Sequence, residues 1–238
     1  MRSEFILVYL AWLSPLVPFL AVLAWGGVKH GAAHRWIAVT TGLSFSIDSL
    51  KFVLAVQGIN NHWISYSFTP LYGAAMVMVL AQGQRTTAER QAVTLTAGLL
   101  LVVVVSLNLL FEAATTYSRI ASPVRSLVVF ALAIWTLLRQ ESLSPDSSLL
   151  RSGWFWVPLG VALYSGGSAA YFPLAWGFVE RDPGFVVAMG QLRSALVVFS
   201  FLLVAWGVRC LFREAISGQP SSPSFSPSPS SSLPSARP

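Results

Sequence analysis

This sequence has very few charged residues. Only 10% of its 238 residues are Asp, Glu, Lys or Arg, whereas a soluble domain has about a quarter. A surface with so little charge cannot face water on all sides, so we expect lipid to cover most of it. The formal charge is +6, but the basic residues stand singly at the ends of apolar runs. No basic patch interleaved with aromatic residues is present, so nucleic acid is not an expected partner.

Cysteine and histidine are also scarce. The single cysteine, Cys210, excludes a disulfide within the chain and a thiolate metal cluster. The three histidines, His30, His34 and His62, fall near two different predicted membrane faces, so no metal site is predicted. No G-x-S-x-G motif or paired aspartates are present, and we predict no catalytic residue and no cofactor. Whether the chain is an enzyme stays open, and the absence of motifs favours another role.

Long apolar runs dominate what is present. They predict an all-α fold with seven transmembrane helices, at about 4–25, 34–56, 63–81, 92–111, 124–138, 154–178 and 185–211. The fifth run is short, and whether it crosses the bilayer completely is left open. Residues 1–216 would form the transmembrane domain. The Ser/Pro-rich segment 217–238 predicts a disordered cytoplasmic tail.

Prolines and a cap signal mark several helix ends and bends. Pro15 and Pro18 lie within the first span and predict a kink there. Asn60 or Asn61 is a candidate N-cap for the third span. Asp182 before Pro183 predicts the start of the last helix, because Asp caps well and Pro suits the first helical position.

The distribution of basic residues predicts the orientation. With seven spans, one side holds eight basic residues: Lys29, Arg35, Arg85, Arg90, Arg139, Arg151, Arg209 and Arg213. The other side holds four: Arg2, Arg119, Arg125 and Arg181. The positive-inside rule places the richer side in the cytoplasm, with the N-terminus outside and the C-terminus inside. The Ala/Leu/Val-rich composition suits a bacterial inner membrane, so the lipid bilayer is the first expected partner.

A polar stripe on the second span carries the main functional signal. Thr41, Ser44, Asp48 and Lys51 recur at spacings of three and four, so they share one helix face. An acid or a base at the centre of a span costs roughly 2.5–3.5 kcal/mol on an insertion scale. We therefore expect this face to point into the bundle.

Polar residues of four other spans are predicted at a similar depth, in the outer half of the bundle. Together with the stripe they suggest a water-accessible cavity that opens to the outer face. Its basic residues would suit an anionic or zwitterionic ligand. The hypothesised ligand-binding residues are Asp48, Lys51, His62, Tyr66, Asn108, Glu112, Tyr171 and Arg193.

Three classes of function fit this pattern. The first is a protein that binds, transports or senses a small polar or anionic molecule, with any signal passed to a membrane or cytoplasmic partner protein. The second is a membrane-embedded lipid-processing enzyme using Asp48, Glu112 and His62. The third is a structural or assembly subunit without a ligand, in which Asp48 pairs with Lys51 or Arg193 and holds two helices together.

Length, seven spans and an outer N-terminus coincide with those of microbial rhodopsins. That family carries its retinal lysine on the last helix. The last span here has Arg193 and no lysine, and Lys51 lies on the second span. A retinal chromophore is therefore not predicted.

Overall fold

The structure is a computed structural model, and it describes residues 2–25, 31–112, 118–142, 149–179 and 181–217. Within these ranges the chain is helical and no strand is found. The helices are α1 (Arg2–Leu13), α2 (Leu16–Ala24), α3 (Ala32–Val56), α4 (His62–Gln82), α5 (Thr87–Phe111), α6 (Ala121–Ser142), α7 (Gly153–Phe178) and α8 (Pro183–Ser217), with a 3₁₀ turn at Leu149–Arg151. From residue 218 onward, the predicted tail lies outside the described residues.

Six segments are long and apolar enough to cross a membrane: Ile6–Ala24, Ala32–Val56, His62–Gln82, Thr87–Phe111, Ala121–Gln140 and Pro183–Ser217. The chain is thus a multi-pass helical membrane protein. The predicted span with the short apolar run, 124–138, is part of α6, which extends beyond this run at both ends. α7 carries no charged residue but is not among the six. It is rich in glycine, serine and tryptophan, which lowers its hydropathy.

Local signals explain several helix ends. The first apolar run is divided into α1 and α2 at Ser14 and Pro15, which agrees with the predicted kink. α5 begins at Thr87, earlier than the predicted 92, because Thr86 and Glu89 form a capping box. Asp182 accepts a bond from the Phe185 amide at 2.9 Å and so caps α8 as predicted.

Neighbouring helices run antiparallel. Trp12 of α1 bonds Ser49 of α3, and Phe19 of α2 lies against Gly42 of α3. We call the end of the bundle where α1 begins the N-terminal face. It therefore also holds the connections α3–α4, α5–α6 and α7–α8. The other connections lie at the opposite face.

Glycines bring α7 and α8 into close contact. A Cβ added to Gly160 would lie 2.6 Å from the carbonyl oxygen of Ser200, and one added to Gly207 would lie 3.0 Å from the Val157 nitrogen. Small residues at such positions allow two helix backbones to approach. α7 also packs against α6, so it lies inside the bundle between its two neighbours.

The half of the bundle next to the opposite face has an apolar core. Its buried cluster contains Val22, Ile37, Val79, Trp154, Val157, Val204, Val208 and Leu211. Beyond this cluster, polar contacts join helix ends: Arg139 pairs with Glu89, and Glu214 accepts a bond from the Gly153 amide at 2.9 Å. This half is closed by side-chain packing.

The close contact at Gly160 leads to a test of the α7–α8 packing. Gly160→Ala should destabilise the protein by about 1–3 kcal/mol, because its methyl group would meet backbone atoms that cannot move away. Gly98→Ala on α5 is the control, since nothing lies within 4 Å of its added Cβ. That control should be neutral or stabilising by up to about 1 kcal/mol. Equal melting temperatures of the two variants in detergent would contradict this packing.

Candidate functional site

A cavity of about 410 Å³ opens in the half of the bundle next to the N-terminal face. Residues of α1, α3, α4, α6, α7 and α8 line it. Its volume falls in the range of small-molecule sites, about 300–1,000 Å³. Its lining combines charged groups with aromatic side chains, whereas the buried cluster in the other half of the bundle is apolar.

Asp48 and Lys51 enter the cavity from α3. Asp48 lies eight residues before the end of α3, which is about 12 Å from the N-terminal face at 1.5 Å per residue. The Lys51 Nζ lies 3.8 Å from the Asp48 Oδ1. The side chains of Lys51 and Asp48 are 30% and 43% exposed, and since both line the cavity, this exposed surface is available to water or a ligand there.

Arg125 is a buried cation of α6, with 6% of its surface exposed. Its guanidinium carbon lies 5.6 Å from the centroid of the Tyr72 ring, and its Nη2 donates to the Ser126 Oγ at 3.2 Å. Gly73 makes room for it, because a Cβ there would lie 2.7 Å from the Arg125 Cγ. The aromatic face stabilises the charge without supplying a negative partner.

Arg193 enters from α8 and is held in the same way. Its guanidinium carbon lies 5.2 Å from the Tyr171 ring centroid and 5.4 Å from that of Phe172. Its Nε is buried and has no hydrogen-bond partner among the described residues. This donor is therefore unsatisfied within the described part of the chain.

Positive charge exceeds negative charge in this lining. Among the lining residues of the described chain, Asp48 is the single acid, and Lys51, Arg125 and Arg193 are the cations. Three cations and one carboxylate give a formal charge of +2 with His62 neutral. All four groups line the same cavity, and Asp48 and Lys51 form an ion pair within it.

Tyr72 and Tyr164 form the floor of the cavity. Their rings meet edge to face, with centroids 5.8 Å apart. Both tyrosines also line a smaller void of about 30 Å³ on the other side, next to Thr40, Thr41 and Ser200. This void has room for one or two water molecules at most. The apolar core of the other half lies beyond it.

The structure brings together five of the eight hypothesised ligand-binding residues. Those that line the cavity are Asp48, Lys51, His62, Tyr171 and Arg193. The stripe on α3 faces inward as predicted: Ser44 also lines the cavity, and Thr41 is buried and bonds the Ile37 carbonyl.

Tyr66, Asn108 and Glu112 do not belong to the cavity lining. Asn108 donates to the carbonyl oxygen of Tyr66 at 2.7 Å and so joins α5 to α4. Glu112 accepts bonds from the amides of Ile120 and Ala121, at 2.6 and 2.9 Å. Its carboxylate therefore satisfies donors at the start of α6, as an N-cap does.

The sequence prediction missed Arg125. The apolar run predicts a span that begins at 124, which places Arg125 at the outer end of that span among the basic residues of the outer side. α6 begins at Ala121, so Arg125 lies one turn inside it. Ser122 and Arg125, three residues apart, line the cavity together, and this spacing was the available signal.

Comparisons with protein-family models, curated proteins and solved structures find no match to this chain. Its class is accordingly defined by the fold and composition alone, as a multi-pass helical membrane protein with a cationic cavity.

The charge of the cavity can be measured with thiol reagents. In a Cys210→Ala background, Ser194→Cys places a thiol in the cavity lining, and Ser165→Cys is a buried control with 1% of its surface exposed. In detergent, the thiol of the Ser194→Cys variant should react faster with an anionic methanethiosulfonate than with a cationic one. Each rate constant is first divided by the rate constant of the same reagent with a free thiol in solution. Cationic charge attracts anions, so we expect a ratio of about 3–10 at low salt that falls with added salt. A ratio at or below one would contradict the charge assignment.

Proposed function

We propose that this protein binds a small anionic molecule in the cavity and serves as a carrier or a sensor for it. The observation that carries this proposal is the excess of cations over carboxylates in the lining. Uncompensated charge inside a membrane protein is costly and is usually placed at a functional site. An anion that enters the cavity would reduce this excess.

The way the arginines are held also supports ligand binding. The guanidinium carbons of Arg125 and Arg193 lie 5.6 and 5.2 Å from the ring centroids of Tyr72 and Tyr171, and an arginine beside an aromatic ring can also donate hydrogen bonds to an oxyanion. Arg193 has a buried Nε without a partner among the described residues. Donors in this state are costly unless a water or a ligand accepts from them.

The alternative functions receive less support. A structural subunit would use Asp48 to hold two helices together, but the ion pair of Asp48 is with Lys51, on the same helix. The acid–base set of a lipid-processing enzyme would need Glu112 beside Asp48 and His62, whereas Glu112 binds the start of α6.

We further propose that α7 is a seventh span. Its 26 residues are about 39 Å long, enough to cross a hydrocarbon core of about 30 Å. It lies between α6 and α8, where neighbours cover its polar groups. With seven spans the termini lie on opposite sides, and the positive-inside rule favours the N-terminal face, and hence the cavity mouth, on the outer side of a bacterial inner membrane.

Binding of benzenesulfonate tests the function. It carries one negative charge, and benzenesulfonamide is a neutral probe of nearly the same shape. By calorimetry on the purified protein, benzenesulfonate should bind and benzenesulfonamide should bind at least about tenfold more weakly. Arg193→Gln should weaken benzenesulfonate binding by about 10–100-fold, the cost of losing hydrogen bonds to a charged group.

Arg209→Gln is the matched control. Arg209 lies on the same helix and also stacks on an aromatic ring, 5.1 Å from Trp206, but it does not line the cavity. It should bind benzenesulfonate as the unaltered protein does. Equal losses in both arginine variants, or equal binding of the neutral and the charged probe, would overturn the proposed function.

A further inference from the structure

The charge and the donor arrangement of the cavity specify its ligand more closely. We infer that the cavity selects a dianionic oxyanion, such as a phosphate monoester. The apolar part of the ligand lies against the aromatic wall, which is formed by Trp12 and Phe52. This inference rests on the proposed function and names its substrate class.

The charge count is the first argument. A monoanion would leave the lining with a formal charge of +1 and a zwitterion would leave +2, whereas a dianion brings it to zero. Inside an apolar bundle each remaining charge is costly, so the neutral complex is favoured. Lys51, Arg125 and Arg193 line the same cavity, so one ligand there would meet the charge of all three.

The number and origin of the donors are the second argument. Lys51, Arg125 and Arg193 belong to three different helices that line the cavity, α3, α6 and α8. A phosphate monoester presents three terminal oxygens in different directions, and arginine binds such oxygens in bidentate fashion. A flat carboxylate has two oxygens and fits a set of three cationic side chains less completely.

The aromatic wall gives the rest of the ligand a surface. Trp12 of α1 stacks on Phe52 of α3, with ring centroids 5.1 Å apart, and both line the cavity. The Trp12 indole NH donates to Ser49 at 3.1 Å, which fixes the ring. This wall suits an aromatic or aliphatic group attached to the phosphate.

Phenylphosphate and benzenesulfonate test this selection at pH 8. They share a ring and a tetrahedral head group, but phenylphosphate is a dianion there, since the second pKa of phosphate esters is about 6. Phenylphosphate should bind at least about tenfold more tightly, and the preference should largely disappear at pH 5, where both are monoanions. Equal affinities at pH 8 would overturn this inference and leave the proposed function standing; binding of neither would overturn both.

Two variants assign the preference to the cations. Lys51→Met and Arg125→Gln should each reduce the ratio of the two affinities at pH 8 by about threefold or more, whereas Arg209→Gln should not change it. Because the comparison is a ratio within one variant, it does not depend on the folded fraction. Lys51 is partly exposed and makes no close packing contact like that of Arg125 with Gly73, so its variant should fold even if Arg125→Gln does not. An unchanged ratio in Lys51→Met would count against the inference.

The dianion could be soluble or could be the head group of a lipid. Titration of phenylphosphate in nanodiscs of phosphatidylcholine, with and without phosphatidate, separates these sources. Competition by phosphatidate supports a lipid phosphomonoester, and its absence supports a soluble one. Benzenesulfonate is titrated in the same nanodiscs as the control, and tighter binding of benzenesulfonate than of phenylphosphate in both would overturn the dianionic class.

Discussion

The electrostatic balance around Asp48 is the constraint on which the cavity depends. One carboxylate faces three cations inside an apolar bundle, where an uncompensated charge is strongly unfavourable. The fold reduces this cost by placing Arg125 on the Tyr72 ring and Arg193 beside Tyr171 and Phe172. Gly73 leaves the space that the Arg125 side chain needs. The positive charge is thus held in place and is left only partly neutralised.

The packing of the other half of the bundle bounds the cavity on one side. Close contacts at Gly160 and Gly207 bring α7 and α8 together there, and a buried aliphatic cluster fills the space between helices. Tyr72 and Tyr164 separate the cavity from this packed half. The cavity and the packed half therefore lie on opposite sides of these two tyrosines. A carrier would have to move them.

Helical spacing was sufficient to predict the features that depend on one helix. The stripe of Ser44, Asp48 and Lys51 faces the interior as its spacing indicated, and Asp182 caps α8. Features that depend on contacts between segments were not predictable in this way. The sequence predicts Glu112 as a ligand-binding residue because it shares a helix face with Asn108. Its bonds to the amides of residues 120 and 121 connect two separate segments, and no local sequence pattern indicates them. Arg125 was assigned to the surface because apolar runs locate the middle of a helix well and its first turn poorly.

The central claim is that the cavity carries an excess of cationic charge for which Asp48 is an internal competitor. The most direct measurement is the affinity of the Asp48→Asn variant for phenylphosphate at pH 8, compared with that of the unaltered protein. Removing the carboxylate should release the three cations to the ligand, so the account predicts an affinity that rises by about threefold or more, with a steeper dependence on salt. An unchanged or lower affinity would contradict it, because Asp48 would then not compete with the anion for these cations.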